Sequence, residues 1–271
     1  MCIRDSWYSA RAVGQRGPVT RIASGCAAAE AGKIAAEWLE IDPSGTFRAH
    51  FAPAGALRGG TYKYSNKPSG LYHWLTTARP PPFVDSSRGI VVLIDPDQML
   101  LRPITAALGA GLRPSPRKGE LVDADGVPRV LGHNLDGIAE RVEPRVAAGQ
   151  EYGLGGAWGD AGKPTAGKSW RSFDRGRVCG DGPCSRTTVR EAAQSYAVGP
   201  PYVIHARDAV PLARAWLRAV PDVHAQYPYL LAEMYGYSMA AANLSLPHAQ
   251  VCLLYTSDAA DEGLGVDLGG R

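Results

Sequence analysis

The sequence predicts an α/β fold, a mainly parallel sheet flanked by helices, and three observations carry that reading. Gly89-Ile90-Val91-Val92-Leu93-Ile94 is a continuous β-branched run of the kind buried on both faces of a parallel sheet. A second apolar stretch, Tyr202-Val203-Ile204-His205, leads into Ala209 to Val220, where apolar residues recur at helical spacing around Trp216 and Leu217. Strand-like and helix-like segments alternate along the chain, and alternation of that kind builds layered α/β architecture.

Taken in order, Val19-Thr20-Arg21-Ile22-Ala23-Ser24-Gly25 alternates and ends on glycine, as a short strand does, and Ala27 to Leu39 is rich in helix formers. Asn66-Lys67-Pro68-Ser69 is a helix entrance, because proline suits the first turn, and Leu71, Trp74 and Leu75 follow on one face. Pro80-Pro81-Pro82 breaks that helix before the strand of residues 89–94. From about Arg113 to Ser195 the chain is dense in Gly, Pro and charge, and reads as a loop-like insertion able to supply little core. Ala232 to Ala242 reads as a further helix or a buried turn-helix, containing Glu233-Met234-Tyr235-Gly236-Tyr237. No internal repeat is present.

The ends read differently from the middle. Met1 to Ser6 can be encoded by ATGTGTATAAGAGACAG, whose reverse complement encodes Cys-Leu-Leu-Tyr-Thr, the residues at Cys252 to Thr256. Complementary coding at both ends marks residues 1–6 and 252–271 as translated sequencing adapter, to be set aside before fold reasoning. The expected domain is then residues 7–251, without its native termini.

Of 29 basic and 26 acidic residues, two and five fall in the adapter, leaving 27 against 21, a net charge of +6. That balance suits a phosphate-bearing partner, but the charges are scattered and no basic run interleaves with aromatics, so nucleic acid is not indicated. Three cysteines remain, with no CxxC pair to suggest zinc. Cys179 and Cys184 flank Gly-Asp-Gly-Pro and could close a small disulfide in an oxidising compartment or stand as free thiols. No apolar run reaches the roughly 20 residues of a membrane span.

The chemistry centres on Asp95 and Asp97. Carboxylates at the end of a buried strand face the crevice where open α/β sheets bind ligands, and paired hard oxygens suit Mn²⁺ or Mg²⁺ held against a diphosphate. Asp-Pro-Asp is also an ordinary strand-ending turn. It further matches the start of an Asp-x-Asp phosphatase, although Met99 stands where that pattern usually has Thr or Val.

Five segments occur in one order: Gly17-Pro18-Val19-Thr20-Arg21, Asn66-Lys67-Pro68 with Leu71-Tyr72-His73-Trp74-Leu75, Val91 to Met99 with Arg102-Pro103-Ile104, Gly199 to His205, and Glu233-Met234-Tyr235-Gly236-Tyr237-Ser238. Together they resemble the peptidyl serine α-galactosyltransferases and hydroxyproline O-arabinosyltransferases of plants and green algae. The chain departs from the galactosyltransferase pattern at Pro96, where Ala is common, and in the long insertion.

The resemblance implies a GT-A-like (Rossmann-like) domain truncated at both ends, lacking its first strand and a closing segment with a further metal ligand. It implies a retaining, metal-dependent transfer from a UDP-sugar to Ser or hydroxyproline of an extensin-like protein, in the Golgi or secretory lumen. Asp95 and Asp97 would hold Mn²⁺ or Mg²⁺, and Asn66 and Lys67 would bind the nucleotide. Glu233 would serve as the catalytic carboxylate beside the sugar. Tyr235 and Tyr237 offer flat surfaces to sugar or acceptor or else pack in the core, and His205 ends a strand either as a diphosphate contact or as a structural histidine. His248 carries the same choice between ligand and structural histidine. A membrane is expected only through an anchor outside this chain. Asn243-Leu244-Ser245 is an N-glycosylation triplet compatible with that route. The rival reading is a non-catalytic carbohydrate-binding homologue.

Overall fold

The structure is a computed structural model that describes residues 3–55, 62–79, 89–101, 103–108, 113–116, 120–122, 124–126, 128–131, 142–152, 154, 158, 173–251 and 255–257. Pro80-Pro81-Pro82 and Arg102 lie outside the described residues. The architecture is mixed α/β, with a small parallel sheet and a larger mixed sheet flanked by helices.

Helix α1 (Ile3–Ala12) precedes strand β1 (Val19–Ser24), helix α2 (Ala28–Ile41) and strand β2 (Phe47–Ala52). β1 and β2 pair in parallel, Val19 opposite Phe47 through Ser24 opposite Ala52. Trp7, Trp38 and Phe47 form their own small core around this unit. Asp42 closes the turn from α2 to β2: its Oδ2 accepts hydrogen bonds from the Thr46 hydroxyl and the Phe47 N–H, both at 2.6 Å. With the Ser44 hydroxyl donating to Oδ1, these bonds, led by Ser44 and Thr46, hold its carboxyl well below the usual range.

Helix α3 (Asn66–Thr77) leads to β3 (Ile90–Leu93), and β4 (Gln98–Leu100) follows the Asp-Pro-Asp turn. Strands β5 (Arg113–Pro114), β6 (Glu120–Val122), β7 (Pro128–Leu131) and β8 (Ala147–Glu151) come next, then short helices α4 (Arg175–Cys179) and α5 (Val189–Ser195). β9 (Val198–His205) runs straight into α6 (Ala206–Gln226), and α7 (Ala232–Asn243), β10 (His248–Val251) and β11 (Tyr255–Ser257) complete the described chain. The large sheet has the order β3-β9-β8-β10-β7-β6-β5, and β11 pairs with β4 apart from it. Among the described residues no helix is long and apolar enough to cross a membrane.

Three sequence expectations change here. The large sheet is not mainly parallel: β8 and β10 run parallel, while β3 with β9, β8 with β9, β10 with β7, and the β5–β7 strands are antiparallel. An apolar run reads the same in either direction, and the long connection between β3 and β9 lets the chain return either way. Second, β3 lies at the end of its sheet and only Val91 is fully buried in it, whereas all eight residues of β9 are buried. Third, the 113–195 segment does supply core. β8 sits between β9 and β10, Ala147 and Ala148 are inaccessible, and Trp158, Cys184 and Ala192 are equally buried. Ala-Ala-Gly carries little hydrophobic signal, but its smallness is what the position needs: a Cβ on Gly149 would stand 2.8 Å from Val198 Cβ.

The main core lies between the large sheet and helices α3, α6 and α7. Tyr202, Trp216 and Tyr237 are fully buried in it, the Tyr202 and Tyr237 rings stacked at 3.7 Å between centroids. The opposite face of the sheet packs Val203, Ile104, Leu100 and Val251.

Candidate functional site

Strand alternation aims the first aspartate. Val91 belongs to the helix-side core and Leu93 packs on it, while Ile90, Val92 and Ile94 pack on the other face. Continued by one step, that alternation turns Asp95 towards α3 and α7. Gln98 fixes the turn: its Oε1 accepts the Asp95 N–H at 2.9 Å and its Nε2 donates to the Pro200 carbonyl at 3.0 Å. A buried amide so tied at both ends couples the end of β3 to β9.

Lys67, the second residue of α3, places its ammonium between two carboxylates, 2.8 Å from Asp95 Oδ1 and 2.7 Å from Glu233 Oε1. The side chains of Lys67, Asp95 and Glu233 are 20, 27 and 4% exposed, so the cluster grades from the surface to the interior. Glu233 is held rigidly. Its N–H donates to the Tyr62 hydroxyl at 2.9 Å, that hydroxyl donates to the Leu230 carbonyl at 3.0 Å, and the Trp216 indole N–H donates to the Glu233 carbonyl at 2.7 Å. Its place in the first turn of α7 also sets the carboxylate against the positive end of the helix dipole.

Burial opposes charge on Lys67, but the Glu233 and then the Asp95 charges outweigh it and hold its pKa above the ordinary lysine value. Burial pushes the Glu233 carboxyl up, and the Lys67 charge offsets this only in part. The ammonium thus keeps its proton, and its charge works against the burial that favours the neutral form of Glu233. Removing either partner strands the other in a low-dielectric setting.

Lys67 and Asp95 stand on the wall of a cavity of about 1500 Å³. Consecutive residues of β1 and of β3 line it, together with Asn66 and Trp74 from α3. Asn66 is also structural, its Oδ1 accepting the Gly55 N–H at 2.6 Å. Glu233 lies behind Lys67 and is not part of the cavity wall. Asp97 is exposed in the turn after β3 and is not part of the cavity wall.

The remaining sequence candidates sit deeper. Tyr235 is buried against Phe173 and Tyr227, with centroids 5.4 and 5.3 Å away. Tyr237 is inaccessible, its hydroxyl 2.7 Å from His248 Nε2. The other ring nitrogen of His248 faces the Leu246 carbonyl at 3.0 Å, so Nδ1 carries the proton and Nε2 accepts from Tyr237. His205 is buried and caps α6, its Nδ1 accepting the Arg207 N–H at 3.2 Å. The structure therefore brings together Asn66, Lys67, Asp95 and Glu233, and places Tyr235, Tyr237, His205 and His248 in the packing around them. Gln98, Tyr62 and Trp216 complete the support. The only sequence signal for Gln98 is its position in the quoted strand-turn motif.

Cys179 and Cys184 are joined in a disulfide, with Cα atoms 5.5 Å apart. Among the described residues no group of three or more His, Cys, Asp or Glu is arranged to hold a metal ion. Of the two aspartates, Asp95 stands on the cavity wall paired with Lys67, and Asp97 is exposed and off that wall. A closed, all-protein metal site does not fit. Comparison with protein-family models, curated proteins and solved structures returned no match for the chain.

Proposed function

We propose that the chain is a glycosyltransferase domain that moves a sugar from a UDP-sugar to Ser or hydroxyproline of a hydroxyproline-rich acceptor, with retention and with Mn²⁺ or Mg²⁺. One observation carries the reading: Lys67 and Asp95, from two separate elements, stand together on the wall of a cavity large enough for a nucleotide sugar, and Glu233 from a third element pairs with the lysine from behind. The ordered motifs of the sequence converge on the same three residues.

In this reading Asp95 and Asp97 hold the divalent ion, which supplies neutralisation of the diphosphate as it leaves. Lys67 adds a point charge for a phosphate oxygen. Asn66 lines the nucleotide side of the cavity. Glu233, rigidly placed behind Lys67, orients the donor sugar and stabilises positive charge that develops on its ring. His205, Tyr235 and Tyr237 contribute by fixing α6 and α7 beneath the site. The Cys179–Cys184 disulfide agrees with a Golgi or secretory lumen.

Isothermal titration of UDP with and without Mn²⁺ tests the proposal on wild type and Asp97→Asn. Metal-dependent binding that weakens at least tenfold in the variant is expected. Binding indifferent to metal favours a non-catalytic carbohydrate-binding protein, and no binding of UDP at all rejects the reading.

A further inference from the structure

His50 on β2 and His73 on α3 face each other and take no part in the proposed sugar transfer. His50 Nε2 lies 2.9 Å from His73 Nδ1, and the ring centroids are 5.1 Å apart. Backbone packing brings the pair together. α3 lies so close on β1 that a Cβ on Gly70 would stand 2.8 Å from Ile22 Cγ2. Ile22 is the strand partner of His50, and His73 follows Gly70 on the same face of α3, so the two imidazoles meet where the helix crosses the small sheet. Thr77, one turn further along that face, puts its hydroxyl 3.2 Å from the same His73 Nδ1. Both histidines are half-buried, and His50 stands on the wall of the large cavity. Burial, and then the neighbouring His73, lower the His50 pKa, which favours the neutral ring that metals bind.

We infer that His50 and His73 form an open zinc site, with the Thr77 hydroxyl as a neutral oxygen beside them and further positions left to water or to a ligand entering from the cavity. Ring geometry supports the choice of ion. An imidazole nitrogen binds zinc at about 2.05 Å with the ring centre about 1.1 Å beyond it, so two rings on a tetrahedral ion have centres about 5.2 Å apart and nitrogens about 3.3 Å apart. Centroids 5.1 Å apart already meet the first condition, and a small tilt of each ring about its centre opens the nitrogens from 2.9 Å to the second. The Thr77 hydroxyl, 3.2 Å from Nδ1, stands at the separation of neighbouring ligands. The ion takes the place of the proton shared by the two facing nitrogens. That ring then carries its proton on the other nitrogen, by exchange with solvent, and no net proton is released. Mn²⁺ and Mg²⁺ prefer oxygen where zinc accepts imidazole, so this site and the one proposed at Asp95 do not compete for an ion. The 23 residues between the two histidines match no zinc spacing, and only the packing of α3 on the sheet reveals the pair.

Isothermal titration of the full chain with Zn²⁺ alone tests the site on wild type, His50→Gln, His73→Gln and, as a control on α6, His224→Gln. Wild type and His224→Gln are expected to bind one Zn²⁺ per chain, with affinity at least about tenfold weaker in each of the other two variants. Zn²⁺ should also raise the melting temperature of wild type and of neither His50→Gln nor His73→Gln, because the ion ties β2 to α3 only in the folded protein. Binding that persists unchanged in His50→Gln and His73→Gln shows an adventitious ion only and overturns the proposal. An equal loss in His224→Gln, or no binding to wild type, overturns it as well. Should one of the two site variants fail to fold, the other carries the same expectations.

Discussion

Lys67 and Glu233, 166 residues apart in sequence, meet at 2.7 Å and tie the first turn of α3 to the first turn of α7. With Asp95 on its other side, the lysine is the only cation the structure places between these two carboxylates among the described residues. Lys67→Met leaves Glu233 buried beside a second negative charge. It should lower stability by on the order of 3 kcal/mol, read from the urea midpoint. Lys67→Met combined with Glu233→Gln should recover at least about 1 kcal/mol of that loss in a double-mutant cycle. Strict additivity would show that the pair is not coupled.

His248 makes stability depend on pH. Burial lowers its pKa from 6.5 to about 4, with the Leu246 carbonyl pulling weakly the other way. Because the folded value lies below the unfolded one, the stabilisation is fully present above about pH 6.5 and is lost as pH falls through 4. The loss over that window should be about 3 kcal/mol, and His248→Gln should flatten it. Glu233 has the opposite sign. Its folded carboxyl is raised by burial, so acid favours the folded state there, and chemical denaturation of Glu233→Gln across the same pH range should show a steeper acid loss than wild type.

Gly236 sits in the middle of α7 where that helix crosses α6. A Cβ there would stand 2.9 Å from Val220 Cγ2 and 3.4 Å from Val220 Cα. Alanine favours an exposed helix by roughly 1 kcal/mol over glycine, whereas overpacking costs about 1–3 kcal/mol. Because the contact includes backbone, the second effect should win, and Gly236→Ala should melt at lower temperature. A higher melting temperature would show that the two helices separate easily.

Of the segments read as adapter translation, the described Ser6 lines the cavity at its edge and β11 lies beyond it. Ser6 donates to the Pro96 carbonyl at 3.0 Å and β11 pairs with β4, but neither touches Lys67, Asp95 or Glu233. A chain of residues 7–251 should therefore bind UDP within about twofold of the longer one by titration, a difference of under 0.5 kcal/mol.

The sequence makes legible those elements whose periodicity is long and undiluted. β1, α2, α3 and α6 all stand where alternation, helix-forming composition or helical spacing places them. β8 is illegible because Ala-Ala-Gly has no large apolar residue, although smallness is what lets it lie against β9. The first half of β9 is masked by Gly199-Pro200-Pro201, residues that ordinarily end strands. At the site, Asp95 and Glu233 stand out as carboxylates at element ends, and Lys67 by its place at a helix entrance. Their convergence is a property of how α3 packs on α6 and α6 on α7, and no spacing in the chain encodes it. Gln98 goes unrecognised for a related reason: a neutral amide announces nothing until both of its ends are seen to be occupied.

Among the described residues β1 pairs only with β2, and β3 only with β9, yet consecutive residues of both line the same cavity. Two rows of main-chain donors and acceptors border one hollow. Open strand edges are templates for pairing with another extended segment. Self-association that grows with concentration, read by light scattering, is the expected mark of these two edges.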